Sequence, residues 1–127
     1  MNEPRPPESF LPLSPLSTAV LLALAGGELH GYGIIKEIED QSAGRMVPGA
    51  GSLYAALQRM VDDGLLREAE SPSEPDVYRR RRYYGLTELG REALDAELRR
   101  LDRLLSLAAE RRPAAALRAA APREETP

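Results

Sequence analysis

The sequence predicts a mainly α-helical chain with one β-hairpin: three short helices, the hairpin, then one long helix. Three observations carry this. Apolar residues recur at helical spacing in three segments before residue 65, each followed by glycine. Two strand-like runs, Leu65–Glu70 and Val77–Leu86, flank the proline-containing stretch Ser71–Asp76. A leucine repeat then runs on with no glycine or proline from Arg91 to Arg112.

Ser14-Pro15 supplies a helix cap and a proline at the first helical position. Leu16–Ala25 is apolar nearly all round and Gly26-Gly27 stops it, so this first helix should be buried on more than one side, the second side by a partner subunit. Tyr32–Ser42 forms the second helix, with Ile34, Ile35 and Ile38 inward, Lys36, Glu37, Glu39 and Asp40 in water, and Gly44 as its end. Ala50–Asp63 forms the third. Leu53, Leu57, Met60 and Val61 make its inner stripe, Ser52, Ala55, Ala56, Gln58 and Arg59 lie off it, and Gly64 ends it. Three helices and a following hairpin make a winged helix-turn-helix. Thr87 caps a fourth helix that starts with Glu88 and runs to about Arg111, with Pro113 closing it. Leu94, Leu98, Leu101, Leu105 and Ala108 repeat at spacings of four and three, a heptad seam that a second copy of the chain would cover. The organisation expected is a flexible tail over 1–12, the winged helix-turn-helix over 13–86, a C-terminal dimerisation helix over 87–112 and a disordered tail over 113–127.

The 127 residues fit one such domain with tails. Cysteine is absent and His30 is the only histidine, which excludes disulfides, thiolate or histidine-rich metal sites and most histidine-dependent catalysis. No metal, cofactor or catalytic residue is expected; His30 should make a structural hydrogen bond at the helix 1–helix 2 turn. No apolar run reaches the ~18 residues of a membrane span, and the polar N-terminus is no signal peptide, so a cytoplasmic protein is expected.

The net charge is −3, but its distribution is uneven. Between Asp76 and Arg91 five arginines face two acids, and four of the five are consecutive, Arg79 to Arg82. At the tip and second strand of a wing they suit phosphates or a minor groove. In a strand alternate side chains take opposite faces, so the four cannot act alike; pairing with nearby acids is the competing reading. The third helix is the candidate reader of a major groove, where Ser52, Ala55, Gln58 and Arg59 are short or forked side chains of the right type. Gln58 suits adenine and Arg59 guanine or phosphate, and Tyr54 could donate to a phosphate.

His30-Gly31-Tyr32-Gly33-Ile34-Ile35, Gly51-Ser52-Leu53-Tyr54, Gly64-Leu65-Leu66 and Arg81-Arg82-Tyr83-Tyr84-Gly85-Leu86-Thr87, in this order and spacing, resemble the PadR family of transcriptional regulators. The likeness covers about Leu13–Leu107 and is nearest the compact branch, in which one C-terminal helix makes the dimer. It implies a homodimeric repressor on a pseudo-palindromic site in double-stranded DNA, often released by a small hydrophobic or aromatic effector. The family's recognition-helix role falls on Ser52, Tyr54, Gln58 and Arg59, its second-helix contacts on Tyr32 and Lys36, and its wing contacts on Arg80, Arg81, Arg82 and Tyr83. This chain has Gly49-Ala50 where relatives commonly have Ser-Pro, Ala55 where proline is common, and Gly85 where a polar or basic residue is common. It has no tryptophan and no aromatic residue in the fourth helix, so planar stacking of an effector there is unavailable. The alternative function is a winged-helix module that binds protein, which the acidic isoelectric point of 5.3 favours. An enzyme would need a carboxylate cluster, phosphate loop or activated nucleophile, and none is legible.

Overall fold

The computed structural model of the chain describes residues 5–70 and 82–112. It divides into two compact units, Met1–Glu97 and Leu98–Pro127.

In the first unit, α1 (Pro15–Leu24) starts on Ser14, whose hydroxyl oxygen accepts the Ser17 N–H at 3.1 Å. Proline at its first position lacks an N–H that the helix would leave unpaired anyway. α1 buries Ala19, Val20, Leu21, Ala23 and Leu24, while Leu22 is exposed within this chain. A two-residue strand, β1 (Leu29–His30), leads directly into α2 (Gly31–Gln41). α2 buries Ile34 and Ile38, and its Gln41 amide donates to the Ala19 carbonyl of α1 at 3.0 Å. α3 (Ala50–Asp62) buries Leu53, Leu57 and Met60 as its spacing requires. Ala56, placed off this stripe by the sequence reading, is buried as well. Its methyl group is short enough for the stripe to widen at that position.

Gly64 takes the left-handed conformation (φ 82°) that ends α3 and turns the chain into β2 (Leu66–Glu70). β2 pairs antiparallel with β3 (Arg82–Leu86), and β3 pairs on its other edge with β1. The order is β1-β3-β2, so the expected hairpin is the larger part of a three-stranded sheet. The expected second strand from Val77 is described only from Arg82; Val77–Arg81 lie outside the described residues. Tyr84 on the central strand is buried in the core with Leu65, Leu66 and the three helices.

α4 (Glu88–Arg111) begins as expected. The Thr87 hydroxyl oxygen accepts the Gly90 N–H at 2.9 Å and lies 2.6 Å from the Gly64 carbonyl, so one side chain caps α4 and ties it to the end of α3. Gly90 lies against the Leu65 backbone so closely that a β-carbon there would overlap the Leu65 carbonyl oxygen. Ala93 and Leu94 complete the core. Glu97 is 1% exposed, and its carboxylate accepts the Leu13 N–H at 3.4 Å. That contact joins α4 to the first residue of the expected winged helix-turn-helix. Within the segment expected to be a flexible tail, Pro7–Phe10 forms a 3-10 turn, Phe10 packs on the core as Leu13 does, and the Arg5 guanidinium lies 4.0 Å over the Phe10 ring.

In the second unit, the described part of α4 carries Leu98, Leu101, Leu104, Leu105 and Leu107, all exposed.

Candidate nucleic-acid interface

The first turns of α2 and α3 are brought together by one contact. The Tyr54 phenol lies against Gly31, and a β-carbon at that position would overlap the ring. A side chain at Gly31 would oblige the Tyr54 ring to move, so this contact links two sequence motifs twenty-three residues apart. Tyr54 remains 49% exposed. Tyr32 is 64% exposed in the first turn of α2. Lys36 follows one turn later on the same face, its ammonium 6.0 Å from the Tyr32 ring centroid.

α3 starts on Gly49 with no side-chain cap. Side chains built at Gly49 or Gly51 would meet nothing within 4 Å. This end of the helix is open, and its unpaired N–H groups can approach an anion closely. Ser52, Ala55 and Arg59 are exposed at spacings of three and four, hence on one face. Gln58 is exposed too, but its amide donates to the Asp62 carboxylate at 2.9 Å. One of its two amide N–H donors is thus engaged within the helix.

On the wing, Arg82 is exposed and its guanidinium stands 3.8 Å from the Glu68 carboxylate across the strand pair. The acid pairing weighed against phosphate binding is thus present for this arginine, though a solvated pair at that distance is weak. Arg80 and Arg81 lie outside the described residues. Tyr83 is half-buried, its ring edge-on to His30 at 5.4 Å between centroids. His30 makes the expected structural hydrogen bond: its Nδ1 accepts the Gly33 N–H at 2.9 Å and caps α2.

Two features escaped sequence reasoning. Arg67 on β2 reaches across β3 to Glu28 at 2.5 Å, and its guanidinium lies where a side chain at Gly85 would stand. The departure at Gly85 is thereby explained: glycine leaves the path open for an ion pair spanning the sheet. Tyr84 is the other. Burial, joined by the Glu68 carboxylate, raises its phenol above the usual pKa of 10.0. Among the described residues no group of acids and histidine could hold a metal ion, and no helix is long and apolar enough to cross a membrane.

The residues assigned to dimerisation divide. Leu94 is 4% exposed and belongs to the core of its own unit, so it is unavailable to a partner. Leu98, Leu101 and Leu105 are 39%, 41% and 62% exposed, and Ala108 is half-buried.

A family model described as the transcriptional regulator PadR-like family matches residues 20–96. An uncharacterized 37.1 kDa protein in transposon TN4556 of Streptomyces fradiae is 44% identical over 85 residues, 67% of this chain. The chain spans only 22% of that protein. Among solved structures, a PadR family transcription regulator from Clostridium difficile is similar with a TM-score of 0.64 at 22% identity, over 76% of this chain and 97% of that one. Bacillus subtilis PadR in complex with operator DNA gives 0.58 at 24% identity, over 65% of this chain and 46% of that one. At such identities the likeness to these two structures is one of fold.

Proposed function

Because the chain belongs to the PadR-like family of transcriptional regulators, we propose that it binds double-stranded DNA sequence-selectively as a homodimer. The observation that carries this reading is the contact of Tyr54 on Gly31, which joins α3 to the start of α2. Tyr32, Lys36, Ser52, Tyr54 and Arg59 are all exposed on these two helices, while Ile34, Ile38, Leu53, Leu57 and Met60 are buried. Side chains of α3 read bases in the major groove, Tyr32, Lys36 and Tyr54 contact phosphates, and the wing adds Arg80, Arg81, Arg82 and Tyr83. The solved complex of the Bacillus subtilis relative with operator DNA supports DNA as the partner. Two copies pair through Leu98, Leu101 and Leu105, an apolar row that water alone would cover poorly. The dimer sets two α3 helices ~34 Å apart, in successive major grooves of a pseudo-palindromic site. Its regulatory sense is repression in the cytoplasm, relieved by a small hydrophobic or aromatic effector accepted among the paired leucines.

A second reading, a module that binds protein alone, is favoured by the ion pair and hydrogen bond that engage Arg82 and Gln58 with acids. Binding of the purified chain to labelled DNA from upstream of its gene, at two salt concentrations, separates the two. The DNA reading predicts selective binding that weakens steeply with salt. A folded dimer that binds no duplex at low salt would overturn the DNA reading and favour the second.

A further inference from the structure

Gly51, Ala55, Gln58 and Asp62 follow one another along α3 at spacings of four, three and four, and all are exposed. At about 100° per residue this row lies opposite the buried stripe of Leu53, Leu57 and Met60. Gly51 and Ala55 carry nothing longer than a methyl group, so Gln58 is the first side chain of the row with a polar group to offer a base. Its amide nitrogen donates to the Asp62 carboxylate at 2.9 Å, one turn further on. An ionised carboxylate only accepts, so it faces the nitrogen of that amide and never its oxygen. An amide carries two N–H groups and one oxygen. With one N–H on Asp62, the other N–H and the oxygen remain for a base, in an order that cannot reverse while the bond lasts. Adenine presents its N7 acceptor beside an N6 donor, whereas guanine presents two acceptors, N7 and O6. An N–H and an oxygen held in fixed order match the first pair and set oxygen against oxygen in the second.

We infer that Asp62 is a positioning residue for base reading: it fixes the donor and acceptor order of the Gln58 amide, and so makes adenine rather than guanine the base that Gln58 selects. The inference rests on the DNA-binding reading above and narrows it to one base pair of each half-site. Asp62 itself works against affinity, because a carboxylate beside a duplex repels phosphates. It also ends α3, where the aligned peptide dipoles disfavour an anion, so the fold does not depend on its charge. Its removal therefore has a distinct signature: binding to any duplex tightens while discrimination between two bases weakens. Loss of a merely structural residue would weaken both together.

The test measures affinity of the purified chain for labelled upstream DNA, at fixed salt, with the base pairs of the bound site exchanged one at a time between A·T and G·C. Wild type is compared with Gln58→Ala, Asp62→Asn, Asp62→Glu and the double variant Gln58→Ala with Asp62→Asn. Gln58→Ala should lose the adenine preference at one pair of each half-site. At that pair Asp62→Asn should lower the adenine-over-guanine affinity ratio about tenfold while tightening binding to unrelated duplex. Asp62→Glu, which keeps the carboxylate, should retain the wild-type ratio. Replacing that adenine by its 7-deaza analogue, which lacks the N7 acceptor, should weaken wild type and leave Gln58→Ala unchanged. A Gln58→Ala variant that keeps every base preference, an unchanged ratio at every pair in Asp62→Asn, equal losses on the site and on unrelated duplex, or an Asp62→Asn effect on the ratio that persists once Gln58 is replaced would each overturn the proposal while leaving DNA binding intact. Absence of duplex binding by all of these proteins at low salt is a different result. It removes the DNA-binding reading, and this inference with it.

Discussion

Leu94 and Leu98 lie four residues apart on one continuous helix, yet the first is buried and the second exposed. Up to Glu97 the helix is an element of its own core: Gly90 rests on the Leu65 backbone, Ala93 and Leu94 are enclosed, and Glu97 holds Leu13. From Leu98 onward its leucines are exposed within the chain. A four-three leucine spacing reports which residues share a helix face; it does not report what covers that face. The first part of α4 should therefore respond to mutation through folding, the second through association.

The largest effects belong to the first part. Leu94→Ala should cost about 2–5 kcal/mol in denaturant unfolding, because it empties a core site. Gly90→Ala should cost about 3 kcal/mol, because a methyl group there collides with backbone rather than with a side chain that can turn away. Leu101→Asp should leave the unfolding of the first unit nearly unchanged but weaken the proposed dimer about a hundredfold or more, measured by sedimentation, since a buried unpaired carboxylate costs about 3 kcal/mol or more. If Leu94→Ala dissociates the protein without loosening its fold, the division of α4 is misplaced.

The two faces of α3 offer the same comparison on a smaller scale. Arg59→Ala should weaken binding to the selected site by about 1–3 kcal/mol with little change in unfolding, whereas Arg81→Ala should weaken all duplexes alike and flatten the salt slope. Gly51→Ala has free space and should stabilise the helix by up to about 1 kcal/mol. It should nevertheless reduce affinity if the DNA backbone approaches that turn. The smallest effect is at Tyr84. Its phenol is raised above 10.0 by burial, so the folded state favours the neutral form. That contribution is fully present below about pH 10 and is lost as pH rises from there through the folded-state value. Tyr84→Phe should remove this alkaline loss in thermal unfolding scans.

Much of this architecture was legible from residue types. The helices follow from Ser14-Pro15, from the isoleucine spacing of α2, from Leu53, Leu57 and Met60, and from Thr87, whose capping bond forms as expected. What escaped depended on contacts between distant residues. β1 is two residues long and has no periodicity to read; it exists because β3 offers it a free edge. Glu97 looks like a surface acid until the Leu13 N–H reaches it. Tyr54 reads as a phosphate donor, and nothing local says that its phenol lies against Gly31. Gln58 and Arg82 carry the right groups for DNA, but each also has an acid within reach, and only the fold shows those partners.

In the proposed dimer, paired C-terminal leucine rows hold two α3 helices for simultaneous entry into one duplex. A footprint of the purified chain on the DNA upstream of its gene should show two protected half-sites centred about one helical turn apart, ~10 base pairs, both lost together in Leu101→Asp. One isolated half-site, or a wild-type footprint that Leu101→Asp reproduces in full, would contradict it.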